Sequence, residues 1–419
     1  MAFFKSDQKE SVVMNDDRER IQIAYLTSVD IKKSWSGIAY YAAQALQKHC
    51  GDVFYIGPKD SHQKSGKQAF YKTVRSLLKK IARHYFVYDY HISVAKKFAK
   101  VATQEIAQHS FDVIVAPTSI TEIAFLETDI PIVLLEDATF ALLHNYYHLY
   151  ANIPKRAVRQ LDAATNTAVK KASLLVYSSA WAAQSAIEDY SADPQKVHVV
   201  PMGANFANLP GKEIVQQRKK SDRCRLLFVG VDWQRKGGQI AFETLLKLEE
   251  LGIQAELIIC GCIPPKTISH ERMRVIPFLD KYDDKQRKEL EQLYLTSDFL
   301  LLPTRSECYG IVFCEANAYG LPAITTHTGG VPEVVRDGEN GFALPLSAGG
   351  AEYAGLIAKI YRDDQRYFEL VQSSRAAYDA RLNWDVWGIT MRNLITEMLG
   401  RGKTTTTPIV DQKKPVHSD

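Results

Sequence analysis

Short apolar runs of strand length recur along the chain, and apolar residues recur at helical spacing between them. The runs are Ile21–Leu26 (IQIAYL) and residues 110–117 (SFDVIVAP), 130–137 (IPIVLLED), 174–179 (LLVYSS), 197–203 (VHVVPMG), 225–230 (RLLFVG), 257–261 (LIICG), 274–279 (RVIPFL) and 295–303 (LTSDFLLLP). Turn residues sit at their ends, and the near-continuous apolar character suits parallel strands covered on both faces. Residues 38–49 repeat apolar positions at helical spacing, so the chain opens with a strand, a loop and a helix. A fold of strand-turn-helix units follows: α/β, with doubly wound, Rossmann-like sheets. No solenoid repeat is evident.

At 419 residues, 46% hydrophobic and 24% charged, the chain reads as globular protein too long for one ordinary core. Two domains are expected: residues 21–207, and residues 223–385, with the polar stretch 208–222, which carries Pro210-Gly211, as linker. Residues 386–400 read as a final helix, residues 1–20 as a polar lead-in and residues 401–419 as a disordered tail. No apolar run is long enough to span a bilayer and no apolar leader precedes the first strand, so a cytoplasmic location is expected. The six cysteines lack the paired spacing of a zinc site and read as reduced thiols.

Charge is concentrated. Residues 59–100 carry eleven Lys and Arg against two Asp, while the whole chain is only +4. Val74, Leu77, Leu78, Ile81 and Tyr85 can share one helical face, flanked by Arg75, Lys79, Lys80 and Arg83. That composition suits an anionic membrane surface or a lipid acceptor, and it also suits a merely solvated basic face. Nucleic acid would match the charge, but no nucleic-acid-binding signature accompanies it, so no such partner is expected.

The candidate chemistry centres on residues 306–316, SECYGIVFCEA. Glu307 falls just beyond an expected strand's carboxyl end, where open parallel sheets bind ligands. The N–H groups after Gly310 would open a helix without intrahelical partners, a place suited to phosphate. Glu315, one turn in, can then accept bonds from a ribose diol, and Glu307 from a second set of hydroxyls. Two acceptors flanking a phosphate cradle suggest a nucleotide-sugar. Upstream, Arg235 and Lys236 follow the strand ending at Gly230 and would place two cations near phosphates, although an exposed basic turn is the plainer alternative.

Glu307 and Glu315 are separated by seven residues, with Gly310 between them and Gly320-Leu321-Pro322, Gly329-Gly330, Pro332-Glu333 and Asn340-Gly341 downstream. This pattern resembles the family 4 retaining glycosyltransferases (glycosyl transferases group 1), whose two Rossmann-like domains face across a cleft in the GT-B fold. The resemblance implies a donor site in the second domain, built from Glu307, Glu315, Lys236, Tyr309, Gly310, Ile311 and Val312, with backbone near Ile276 facing the base. It implies an acceptor site in the first domain, and a last helix that returns to that domain. Arg235 stands as substitute for an arginine that often directly follows the strand, where this chain has Val231. Gly37 lies where the family keeps small residues for donor and acceptor, or it merely eases a turn. A histidine is common where this chain has Glu136-Asp137. Asp137 or Glu136 can bond sugar or acceptor hydroxyls there, or Glu136 can cap the following helix.

The activity implied is transfer of a hexosyl group, with retention, from a nucleoside-diphosphate sugar (UDP-sugar favoured) to an acceptor hydroxyl. The leaving phosphate helps deprotonate the acceptor. No metal is expected, since no convincing Asp-x-Asp loop is present, and no covalently bound cofactor. The acceptor expected from the basic stretch is a glycolipid or diacylglycerol-type lipid, with the enzyme peripheral on a membrane's cytoplasmic face. A soluble saccharide or polysaccharide precursor is the alternative. A nucleotide-sugar epimerase or a non-catalytic binding protein is the alternative class.

Overall fold

The computed structural model describes residues 20–400 apart from 29, 33 and 58–84. The lead-in to residue 19, the tail from 401 and most of the basic stretch, with Lys79, Lys80 and Arg83, lie outside the described residues. The strands are β1 (Ile21–Leu26), β2 (Gly51–Ile56), β3 (Val113–Pro117), β4 (Ile132–Glu136), β5 (Leu174–Tyr177), β6 (Val197–Val199), β7 (Cys224–Val229), β8 (Ala255–Cys260), β9 (Met273–Ile276), β10 (Phe299–Leu302), β11 (Ala323–Thr326) and β12 (Gly341–Leu344). The helices among the described residues are α1 (Ile38–His49), α2 (Tyr85–Ile106), α3 (Ile120–Phe125), α4 (Phe140–Leu143), α5 (Lys155–Lys171), α6 (Ala180–Tyr190), α7 (Lys212–Gln216), α8 (Gly238–Glu250), α9 (Asp284–Thr296), α10 (Ile311–Ala318), α11 (Val331–Val334), α12 (Gly350–Arg362), α13 (Asp364–Arg381) and α14 (Trp384–Met398).

The strands form two all-parallel sheets, ordered β2-β1-β3-β4-β5-β6 and β12-β11-β10-β7-β8-β9. β3, β4, β5 and β10 are buried along their whole length, as strands covered by helices on both faces must be. In the N-terminal sheet, β1 feeds β2 on one side and β3 on the other. In the C-terminal sheet the order turns between β7 and β10, so the loops leaving these neighbours part and open a crevice at their carboxyl ends. Glu307 follows β10 and Lys236 follows β7, which puts both at that crevice.

The apolar runs overreach several strands, the run from 197 being extended only to Val199 and that from 274 only to Ile276, and other strands were not read. Leu295 and Thr296 end α9, and only Phe299–Leu302 is extended. β11, β12 and the edge strand β2 give weaker signals: the first two are four residues long, and β2 exposes Phe54 and Tyr55. Within residues 208–222, α7 docks on the C-terminal domain. Val215 is buried there, Arg218 donates to the carbonyl of Tyr319 at 3.0 Å, and Lys220 donates to that of Tyr361 at 3.0 Å.

One apolar cluster fills the C-terminal domain, and two lie on opposite faces of the N-terminal sheet. The second of these includes Trp387, Met391 and Ile395 of α14 beside Ile23, Tyr25, Ala42 and Leu46. The last helix therefore completes the core of the first domain. Asn383 starts it by accepting from the N–H of Val386 at 2.9 Å.

Candidate active site

The loop after β7 is a tight turn. Arg235 N–H donates to Asp232 Oδ1 and Lys236 N–H to the Asp232 carbonyl, both at 3.0 Å. Gly237 then takes φ +76°, and a Cβ there would lie 1.9 Å from the carbonyl of Pro303, so this turn lies directly against the loop after β10. That contact brings three charges together. Lys236, only 8% exposed, pairs with Glu307 Oε2. Arg235 Nη1 lies 3.5 Å from the same oxygen and donates to the Ser306 carbonyl at 3.1 Å. Burial lowers the Lys236 pKa, the Glu307 charge opposes that, and Arg235 adds to the lowering. Desolvating these groups is costly unless they stay paired, so the cluster suits a place where a further anion is received.

α10 begins at Gly310, at φ +88° and without a side-chain cap. A Cβ at Gly310 would meet the Phe313 ring at 2.5 Å and the Glu307 side chain at 3.2 Å. Of the residues read from sequence, Ile311 is half-buried and Val312 buried. The Tyr309 side chain points away from the loop's open side, its hydroxyl donating to the Met202 carbonyl at 2.9 Å. Glu315 is 2% exposed and already engaged: Tyr294 Oη donates to it at 3.1 Å, and Lys281 pairs with its other oxygen. A ribose at Glu315 would displace Lys281. Ile276 ends β9, and its carbonyl accepts from the N–H of Gly261 at 3.2 Å. Beside it, Val231, Asp232, Gly261, Ile263 and Phe278 line an open pocket of about 600 Å³.

Asp137 follows β4 in the facing domain. Trp35 Nε1 donates to its Oδ2 at 2.8 Å. Burial pushes its pKa up to about 6; the Trp35 bond opposes the shift, and the Glu307 charge adds to it. Glu136, the last residue of β4, lies beside a small cavity that Trp35 also lines. It is buried, its Oε1 lacks a hydrogen-bond partner among the described residues, and burial, then Asp137 and Glu122, raises its pKa. The cap of α4 is Thr139, accepting from Leu142 N–H at 3.4 Å, so the capping role read for Glu136 is overturned. Gly37, at φ +80°, ends a left-handed run through Trp35 and Ser36, and a Cβ there would lie 3.0 Å from the Tyr282 hydroxyl. Asn205 ties this loop to α14, donating to the Ser36 carbonyl and accepting from Trp384 Nε1, each at 3.0 Å.

Sequence reasoning missed Trp35, Lys281, Tyr146 and Tyr147 as members of the site. All four lie in loops, where no periodicity marks them. The aromatic pair Tyr146-Tyr147 between two apolar runs was the available signal. Among the described residues no group of His, Cys, Asp or Glu is arranged to hold a metal ion, and all six cysteines are buried and unpaired.

Two family models between them match most of the chain: Glycosyltransferase Family 4 over residues 38–207, and Glycosyl transferases group 1 over residues 211–377. The chain belongs to this family. Its curated relatives include D-inositol 3-phosphate glycosyltransferases of Corynebacterium efficiens (25% identity, covering 62% of this chain and 64% of the relative) and Acidothermus cellulolyticus (27% identity, 59% and 58%). The chain thus matches less than two thirds of the length of these relatives. Among solved structures, sucrose-phosphate synthase from Thermosynechococcus elongatus superposes with a TM-score of 0.66 at 17% identity, covering 91% of this chain and all of that one. Anabaena HepE in complex with UDP and glucose gives 0.60 at 17% identity, with the same coverage. These neighbours show that this family 4 member has the two-domain GT-B fold.

Proposed function

We propose that the protein transfers a hexosyl group from a nucleoside-diphosphate sugar to an acceptor hydroxyl with retention of configuration. The observation that carries this is the convergence of Lys236, Arg235 and Glu307 at the turning point of the C-terminal sheet, with Asp137 presented from the other domain. The diphosphate lies on Lys236, Arg235 and the amides opening α10. Glu307 accepts from hydroxyls of the sugar, Glu315 from the ribose once Lys281 has moved, and the pocket beside Ile276 takes the base. The bond from the anomeric carbon to the diphosphate oxygen breaks, and its electrons stay on the phosphate. The acceptor oxygen attacks from the same face, and its proton passes to the leaving phosphate. Each fixed donor aimed at the developing charge contributes roughly 3 kcal/mol at the transition state. UDP-sugar is the favoured donor, in keeping with the UDP bound by HepE.

The acceptor approaches from the first domain. A lipid in an anionic membrane is the reading from the basic stretch, of which the described part includes Lys96, Lys97 and Lys100 on α2. No helix among the described residues is long and apolar enough to cross a membrane. A soluble phosphorylated polyol is the second reading, favoured by relatives whose names specify inositol 3-phosphate. Incubation with a panel of nucleotide-sugars, measuring nucleoside diphosphate released, decides among the classes. Release that rises with anionic vesicles supports the lipid, and release that rises with inositol phosphate supports the polyol. Consumption of the sugar nucleotide without diphosphate release indicates epimerisation, and binding without turnover indicates a non-catalytic protein.

A further inference from the structure

The two amides at the mouth of the donor loop find their acceptors across the cleft. Glu307 N–H donates to Tyr146 Oη at 2.9 Å, and Cys308 N–H donates to Tyr147 Oη at 3.1 Å. The Tyr146 hydroxyl proton has two destinations: the Glu307 carbonyl at 3.3 Å and Thr328 Oγ1 at 2.9 Å. Tyr146 thus holds the Glu307 amide and lies within reach of its carbonyl. Tyr147 adds a second grip, because the Arg235 guanidinium lies 5.2 Å from the centre of its ring.

The pair is itself braced. The Tyr146 and Tyr147 rings are perpendicular at 5.5 Å, and Trp181 of α6 lies 5.3 Å from the Tyr146 ring. Asn145, just before them, takes the left-handed φ of +64°. Room for them is made on the far side, where a Cβ at Gly329 would lie 2.6 Å from Tyr146 Oη. We propose that Tyr146 and Tyr147 are positioning residues that set Glu307 and Arg235 only when the two domains are closed. Opening the cleft removes the acceptors of two partly buried N–H groups at once, so placement of the sugar-binding carboxylate is coupled to closure. The consequence for turnover rests on the glycosyl-transfer reading, whereas the amide contacts do not.

Tyr146→Phe and Tyr147→Phe keep the rings, the Trp181 brace and the face offered to Arg235 while deleting the acceptors. Two measurements on the full chain test the proposal. Hydrogen exchange at the Glu307 amide is expected to speed up on the order of tenfold or more in Tyr146→Phe, and at Cys308 in Tyr147→Phe, with the β10 amides unchanged. Steady-state kinetics are expected to show kcat lowered by about tenfold in each variant while affinity for free UDP stays within about twofold, a split that general loss of structure would not give. Unchanged exchange at Glu307 and Cys308 overturns the proposal, as does an equal loss of UDP affinity and kcat. If exchange changes as expected and the wild type releases no nucleoside diphosphate from any donor, the positioning role stands and the glycosyl-transfer reading fails.

Discussion

Glu307 and Lys236 form a buried ion pair, so each is defined by what happens when the other is lost. Glu307→Gln and Lys236→Ala are each expected to lower turnover by about a hundredfold or more with the fold intact, since in the proposed mechanism both act on charge at the reacting centre. Near-normal rates, or loss of the native circular dichroism, would remove them from the mechanism. Asp137 adds a pH dependence. Its folded pKa of about 6 lies above the ordinary carboxylate value, because burial disfavours the charge. If the carboxylate is the form that bonds hydroxyls, kcat/KM falls as pH drops through about 6. Asp137→Asn should abolish that limb. Trp35→Phe removes a donor that favours the charged form, so it should move the limb to higher pH. The same shift makes the folded protein bind more protons than the unfolded chain between the two pKa values. Its contribution to stability therefore diminishes as pH rises through that window. Glu307 and Glu315 were legible as candidates because one pattern of acids and glycines carries them, and Lys236 because a basic turn follows the strand ending at Gly230. Lys281 and Trp35 were not, because tertiary folding alone brings them to Glu315 and Asp137.

At the scale of elements, the site depends on loops packed backbone against backbone. The Gly329-Gly330 turn closes over the donor loop: a Cβ on Gly329 would lie 2.1 Å from the Glu307 carbonyl, and one on Gly330 would lie 2.0 Å from that of Cys308. Gly329→Ala should therefore displace Glu307 and lower kcat by about tenfold or more. Gly355→Ala is the contrasting case. It lies within α12 with nothing within 4 Å of its Cβ position, and should raise stability by roughly 0.5–1 kcal/mol in denaturant titration without altering turnover. A destabilised Gly355→Ala beside a fully active Gly329→Ala would reverse this assignment. Helix α1 was readable to its ends because its apolar positions keep helical spacing. The boundary between α9 and β10 was not, since Leu295 continues an apolar run whose first residues belong to the helix.

The whole molecule is two similar sheets wound in different orders, joined by the stretch through α7 and again by α14. Because α14 follows the C-terminal domain yet buries Trp387 in the N-terminal core, it couples the stability of the two. Trp387, 3% exposed, should cost about 3–5 kcal/mol when replaced by Ala, read as a lower unfolding midpoint monitored in the first domain. A loss confined to the second domain would show that the helix does not serve the first. The two-domain architecture was legible from the apolar runs and the polar interval between them. The closed cleft was not, because its contacts through Tyr146, Tyr147 and Tyr282 are single side chains from loops. The proposed mechanism requires a nucleoside diphosphate at the turning point of the C-terminal sheet, and a structure of the protein with UDP bound decides whether it lies there. The diphosphate is expected within hydrogen-bonding distance of Lys236 and the first amides of α10, the ribose on Glu315 with Lys281 displaced, and the base beside Ile276. A nucleotide bound elsewhere, with the Lys236 to Glu307 and Lys281 to Glu315 pairs undisturbed, would contradict it.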